Sequence, residues 1–300
     1  MAKYKSFFKA AAVTALLVVS SVGAGQSAGA AAAPAEVGAT AASAGCGKTP
    51  TLGNGTHTIS SNGKNRSFIL KLPDNYNRNT PYRIVFGFHW RGGTATDVAT
   101  GRTVNPQYWQ YYGLLRLSNN STIFVAPQGL GNGWGNAGGE DVTFVDNMLR
   151  RIEGDLCVET SRRFAVGFSW GGGMSFALAC ARPNVFRAVA VYAGGQISGC
   201  GGGTQPIAYL AMHGVNDGVL GISAGRALRD RFVRNNGCTP QNPREPVPQL
   251  RRERWPPHRG ETRSSTPSSR CLAPTRRPRR TPVPRPARLR GGPGRVHRLA

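Results

Sequence analysis

An α/β fold, with a mostly parallel sheet flanked by helices, follows from three features of this 300-residue sequence. Short, nearly continuous apolar runs recur between residues 67 and 212. Helical patterns lie between the later ones, and turn-forming clusters punctuate the joins.

The series starts at residues 67–72 (SFILKL), read as an early strand that stops at the turn formers Pro73-Asp74-Asn75-Tyr76-Asn77. Residues 83–88 (RIVFGF), 122–126 (TIFVA), 163–167 (RFAVG), 187–192 (RAVAVY) and 207–212 (IAYLAM) are apolar at nearly every position. Strands covered by helices on both faces have that character. Residues 141–152 set Val142, Val145, Met148 or Leu149, and Ile152 on one helical face, with Asp141 available as N-cap. Residues 172–181 (GGMSFALACA) form a small-residue helix ending at Pro183, and residues 224–233 close the series.

Charge divides the chain further. Of the net +24, +2 falls in residues 1–45, +9 in 46–240 and +13 in 241–300. The last segment carries 16 Arg and 12 Pro with almost no aromatic residues, a composition that cannot bury enough apolar surface to offset chain entropy. The high isoelectric point is therefore mostly a property of that tail, and nucleic acid is not an expected partner. At the other end, Lys3, Lys5 and Lys9 precede an apolar stretch over residues 10–22. Ala28-Gly29-Ala30 or Ala42-Ser43-Ala44 offers a small-residue cleavage site. This is the pattern of a secretion signal, too short and Ala-rich for a membrane span. Export makes disulfides the expected use of the six cysteines. Five of them (Cys46, Cys157, Cys180, Cys200, Cys238) precede residue 240, which leaves one over unless Cys271 supplies its partner. No Cys-x-x-Cys pair exists, so a structural zinc site has no support, and no metal or cofactor is expected.

The chemistry is concentrated in Gly167-Phe168-Ser169-Trp170-Gly171. An apolar strand precedes this Gly-x-Ser-x-Gly and a Gly-rich helix start follows, the context in which a strained turn lifts a serine hydroxyl above the sheet as a nucleophile. The fold expected is thus of α/β-hydrolase type. In that fold the acid follows the nucleophile in the chain, and Asp217 stands just after the strand at 207–212, where the acid loop should fall. Phe88-His89-Trp90-Arg91-Gly92-Gly93 follows the strand at 83–88. Its Trp90 N–H and that of Trp170 are the candidate oxyanion donors, and His89 is read as a loop-shaping residue. A general base is not identifiable. Only His258 and His297 follow Asp217, both within the Arg/Pro tail, and neither is assigned.

These residues carry a resemblance. With Cys46-Gly47-Lys48, Asn62-Gly63-Lys64-Asn65-Arg66, Gly139-Glu140-Asp141-Val142-Thr143-Phe144, Asp155-Leu156-Cys157, His213-Gly214 and Asn235-Asn236-Gly237-Cys238, the chain resembles secreted feruloyl esterases of carbohydrate esterase family 1. Those enzymes are related to acetylxylan esterases and polyhydroxybutyrate depolymerases. The resemblance implies cofactor-free hydrolysis of feruloyl or acetyl esters on plant xylan, and puts Ser169 and Asp217 on the nucleophile and acid positions. It also implies a further cysteine to pair with Cys238, a last strand, a Gly-Asp-x-His-type loop bearing the catalytic histidine, and a last helix. From about residue 248 the sequence offers none of these. The expected organisation is a signal and Ala-rich lead-in at 1–45, an esterase domain lacking its last strand and helix at 46–247, and a disordered tail at 248–300. The tail reads as an out-of-frame translation of a GC-rich gene.

Overall fold

The computed structural model describes residues 41–241. Seven strands form one sheet in the order β1-β2-β4-β3-β5-β6-β7. They are β1 Gly55–Ser61, β2 Lys64–Lys71, β3 Tyr82–Phe88, β4 Thr122–Pro127, β5 Val158–Phe168, β6 Ala188–Tyr192 and β7 Ala208–Met212. β1, β2 and β4 pair antiparallel, while β4, β3, β5, β6 and β7 run parallel. The mostly parallel sheet matches the sequence reading. β1 escapes it because this edge strand, GTHTISS, buries only Ser61. Asn62 and Gly63, both at positive φ, close the β1–β2 hairpin.

The helices are α1 Ala95–Thr100, α2 Leu114–Leu117, α3 Glu140–Asp155, α4 Trp170–Ala181 and α5 Ile222–Asn235. One sheet face packs Phe68, Ile84, Phe86, Phe88 and Val125 against α3 and α4, with Leu228 and Phe232 of α5 completing that core. The other face packs Val85, Phe124, Ala126 and Val166 against Ala95 and Val98 of α1 and against Tyr111. β7 is the outer strand of the described sheet, and its Leu210 and Met212 are 41% and 53% exposed.

Two sequence expectations need correction. Asp141 is not the N-cap of its helix. Gly139 holds that place, and Asp141 sits buried in the first turn of α3, 2.7 Å from the Arg66 guanidinium. Asp141 is drawn inward because it also accepts the Asn136 N–H at 2.8 Å. Likewise, the folded body begins before residue 46. Ala42 bridges to Glu159, and the buried Ser43 hydroxyl donates to Leu156 O at 2.6 Å and accepts from Val158 N at 2.8 Å. Disulfides join Cys46 to Cys157 and Cys180 to Cys200. Cys238 is also disulfide-bonded, against the expectation that the departure from about residue 248 leaves it without its usual partner. The signal segment and the Arg/Pro tail lie outside the described residues.

Candidate active site

Ser169 stands between β5 and α4 at φ 54° and ψ −116°, a backbone conformation that L-residues avoid and that costs about 1–3 kcal/mol. Its two flanking glycines are required by packing. A Cβ on Gly167 would lie 2.2 Å from the Gly171 backbone, and one on Gly171 would lie 2.0 Å from Phe88 O. The start of α4 is thereby pressed against the end of β3 and the turn that follows it. Ser169 N donates to Tyr192 O at 2.9 Å, and Ala193 N donates to Met212 O at 2.7 Å. The ends of β5, β6 and β7 thus form a row, with Ser169 and His213 separated by two strand spacings, about 10 Å.

The candidate oxyanion donors have free hydrogens. Neither Trp90 N–H nor Trp170 N–H meets an acceptor among the described residues. Trp170 is the first residue of α4, so its N–H also lies at the positive end of the helix dipole. His89 is fully buried. Gly129 N–H can only donate, so His89 Nε2, 3.0 Å away, accepts; Nδ1 therefore carries the proton and donates to Trp90 O at 2.8 Å. Burial lowers the His89 pKa against the opposing pull of the Trp90 carbonyl, which keeps the ring neutral. His89 shapes the loop and is not available to Ser169.

Asp217 lies in the loop after β7. Its Oδ1 accepts from Val219 N at 2.9 Å and Leu220 N at 3.0 Å, and these backbone donors hold its pKa below the ordinary carboxylate value. Its Oδ2 is 3.6 Å from His213 Nε2, which donates to Leu220 O at 2.6 Å. Ser169 and Asp217 thus occupy one edge of the sheet without direct contact.

Next to Ser169, with Phe168 in its wall, opens a cavity of about 690 Å³, within the range of small-molecule sites. Five aromatic residues line it: Trp90, Trp109, Tyr112, Phe168 and Tyr192. Sequence reading missed most of these. They come from separate loops and strand ends, and only the aromatic cluster at residues 108–112 and the Thr94-x-x-Asp97 capping pattern offered a local signal.

No protein-family model matches the chain. Among curated proteins, probable feruloyl esterase C of Aspergillus niger is 53% identical over 204 residues, covering 68% of this chain and 73% of that protein. Feruloyl esterase D of Neurospora crassa is 53% identical over 209 residues, covering 69% and 72%. The chain belongs to the feruloyl esterase family. Feruloyl esterases are carboxylic ester hydrolases, and feruloyl esterase C of Emericella nidulans is a further relative at 52% identity over 205 residues, covering 68% of this chain and 73% of that protein. A solved CE1 ferulic acid esterase of Anaeromyces mucronatus is 19% identical, covering 63% of this chain and 82% of that chain with a TM-score of 0.49.

The described histidines are His57, His89 and His213. His57, on the edge strand, bonds Gly53 O, His89 bonds Gly129 N and Trp90 O, and His213 bonds Leu220 O. None of the three forms a hydrogen bond with Ser169, and His258 and His297 lie outside the described residues.

Proposed function

We propose that this chain is a secreted serine esterase that cleaves feruloyl or acetyl esters on plant cell-wall xylan. Ser169 Oγ attacks the ester carbonyl, the polysaccharide alcohol leaves with a proton, and water then hydrolyses the acyl-enzyme. The N–H groups of Trp90 and Trp170 meet the negative charge on the carbonyl oxygen, and Asp217 orients the base. The observation that carries this reading is the strained Ser169 backbone at the end of β5, beside an aromatic-lined cavity. The disulfides Cys46–Cys157 and Cys180–Cys200 support an oxidising, extracellular destination. Neither nucleic acid nor a membrane belongs to this reading.

A second reading has its own observation. Ser169 has no imidazole partner among the described residues, which favours a catalytically impaired remnant that retains binding alone. The esterase domain is taken to end at residue 247, and residues 248–300 are taken as an out-of-frame tail that replaces the segment bearing the base. Purified protein assayed on methyl ferulate and 4-nitrophenyl acetate beside Ser169→Ala decides between the two readings. Turnover above the variant supports the esterase, and equal rates support the remnant. A coding sequence whose other two frames lack a Gly-Asp-x-His-type segment would remove the out-of-frame reading.

A further inference from the structure

An aromatic slot holds a flat acyl group but cannot tell a phenol from its methyl ether, because ring faces offer no directed acceptor. Among the described residues, the lining of this cavity contains one carboxylate, that of Asp97. Asp97 is held by the capping box of α1. Its Oδ2 accepts from Thr94 N at 2.9 Å and Thr94 Oγ1 at 2.7 Å, while its own N–H donates to Thr94 Oγ1 at 3.2 Å. The side chain is therefore fixed, and its Oδ1 accepts no hydrogen bond from the described residues.

Position agrees with this. α1 packs on β3, where a Cβ on Gly87 would lie 2.8 Å from Val98 Cγ1. In the sheet order β3-β5-β6-β7, α1 thus lies on the β3 side of Ser169, with the acid loop on the β7 side. The cavity reaches from Asp97, past Trp90 and Phe168, to His213. Phe168, next to Ser169 in the chain, lines the cavity, so an acyl group bonded at Ser169 has that cavity beside it, with Asp97 in its lining.

We infer that Asp97 is the specificity-determining residue that reads the 4-hydroxyl of a hydroxycinnamoyl ester, accepting its O–H on Oδ1. This rests on the cavity being the acyl site of the proposed esterase. A carboxylate only accepts, so it rewards a phenol and leaves a 4-methoxy oxygen facing a second acceptor. Acetyl esters gain nothing from it, which makes hydroxycinnamates the preferred substrate class.

The test is calorimetric titration of the full chain carrying Ser169→Ala, which needs no turnover, with methyl ferulate and methyl 3,4-dimethoxycinnamate. Methyl ferulate is expected to bind about tenfold more tightly, in keeping with one charge-assisted hydrogen bond in a partly open site. Adding Asp97→Asn, which presents an amide donor, should erase or reverse that preference. Adding Thr94→Ala, which removes the hydroxyl that holds the carboxylate, should weaken the preference without reversing it. Equal affinities in the parent protein, an unchanged ratio in Asp97→Asn, or a reversed preference in Thr94→Ala would each overturn the assignment. Failure of both esters to bind the parent would instead overturn the acyl-site reading itself, and the assignment with it.

Discussion

Trp134 donates its indole N–H to the His89 carbonyl at 2.8 Å, and both residues are fully buried. That carbonyl and the Trp90 N–H belong to one planar trans peptide and point in opposite directions. Holding the oxygen therefore fixes the direction of the N–H. A second clamp acts one peptide further on, where His89 Nδ1 donates to the Trp90 carbonyl. The candidate oxyanion donor is thus positioned by residues that never meet a substrate.

Trp134→Phe should reveal this. The variant keeps a ring against Phe88 but deletes the indole N–H, leaving the buried His89 carbonyl unpaired. We expect a loss of about 1–3 kcal/mol, read as a lower denaturant midpoint with unchanged slope. Turnover of 4-nitrophenyl acetate should fall in kcat more than in KM, because the misaligned N–H matters most when charge develops. A midpoint equal to the parent's would remove the positioning role.

Ser169→Gly should stabilise the fold while removing the proposed nucleophile. Glycine relieves about 1–3 kcal/mol of strain at φ 54° but adds roughly 0.5–1 kcal/mol of backbone entropy to the unfolded chain. Strain relief is the larger effect, so the net gain should be about 1 kcal/mol. Ser169→Ala keeps the strain and should not share it. Thermal unfolding of the two variants side by side makes the comparison.

Much of this site was legible in the sequence because its signals are local. Gly167 and Gly171 flank Ser169 in one contiguous motif, directly after the buried Ala165 and Val166 of β5. The candidate acid loop is marked in the same way, by Asp217 following an apolar strand. What stayed hidden is non-local. β1 is polar because it lies at the sheet edge, and Asp141 reads as a cap until Arg66, 75 residues away, is seen to pair with it. The aromatic cavity draws on five separated positions, so no spacing could assemble it.

His89 predicts a pH dependence. Its pKa is lowered in the folded state, so the native protein prefers the neutral ring. This contribution is fully present above the unfolded value of about 6.5 and is lost as pH falls toward the folded value. Protonation would also turn Nε2 into a donor facing the Gly129 N–H donor. Stability should therefore decline below about pH 6.5. In His89→Gln, whose amide oxygen can accept from Gly129, that decline should be absent. Denaturant midpoints measured from about pH 7 to about pH 5 for both proteins provide the comparison, and parallel curves would count against the assignment.

Arg66 and Asp141 supply the sharpest test of how the site is supported from behind. Their ion pair is 2–3% exposed, and Arg66 also lies over the Phe144 ring and donates to Gln128 O at 3.2 Å. Asp141 in turn fixes Asn136, whose side chain accepts from the Asp141 and Val142 N–H groups at the start of α3. Removing one partner strands a buried charge, so Arg66→Met or Asp141→Asn alone should cost about 3–5 kcal/mol. The double variant should cost clearly less than the sum, because it leaves no uncompensated charge. Additive losses in this double-mutant cycle would mean that the two side chains act separately, with Arg66 contributing through Phe144 and Asp141 through Asn136.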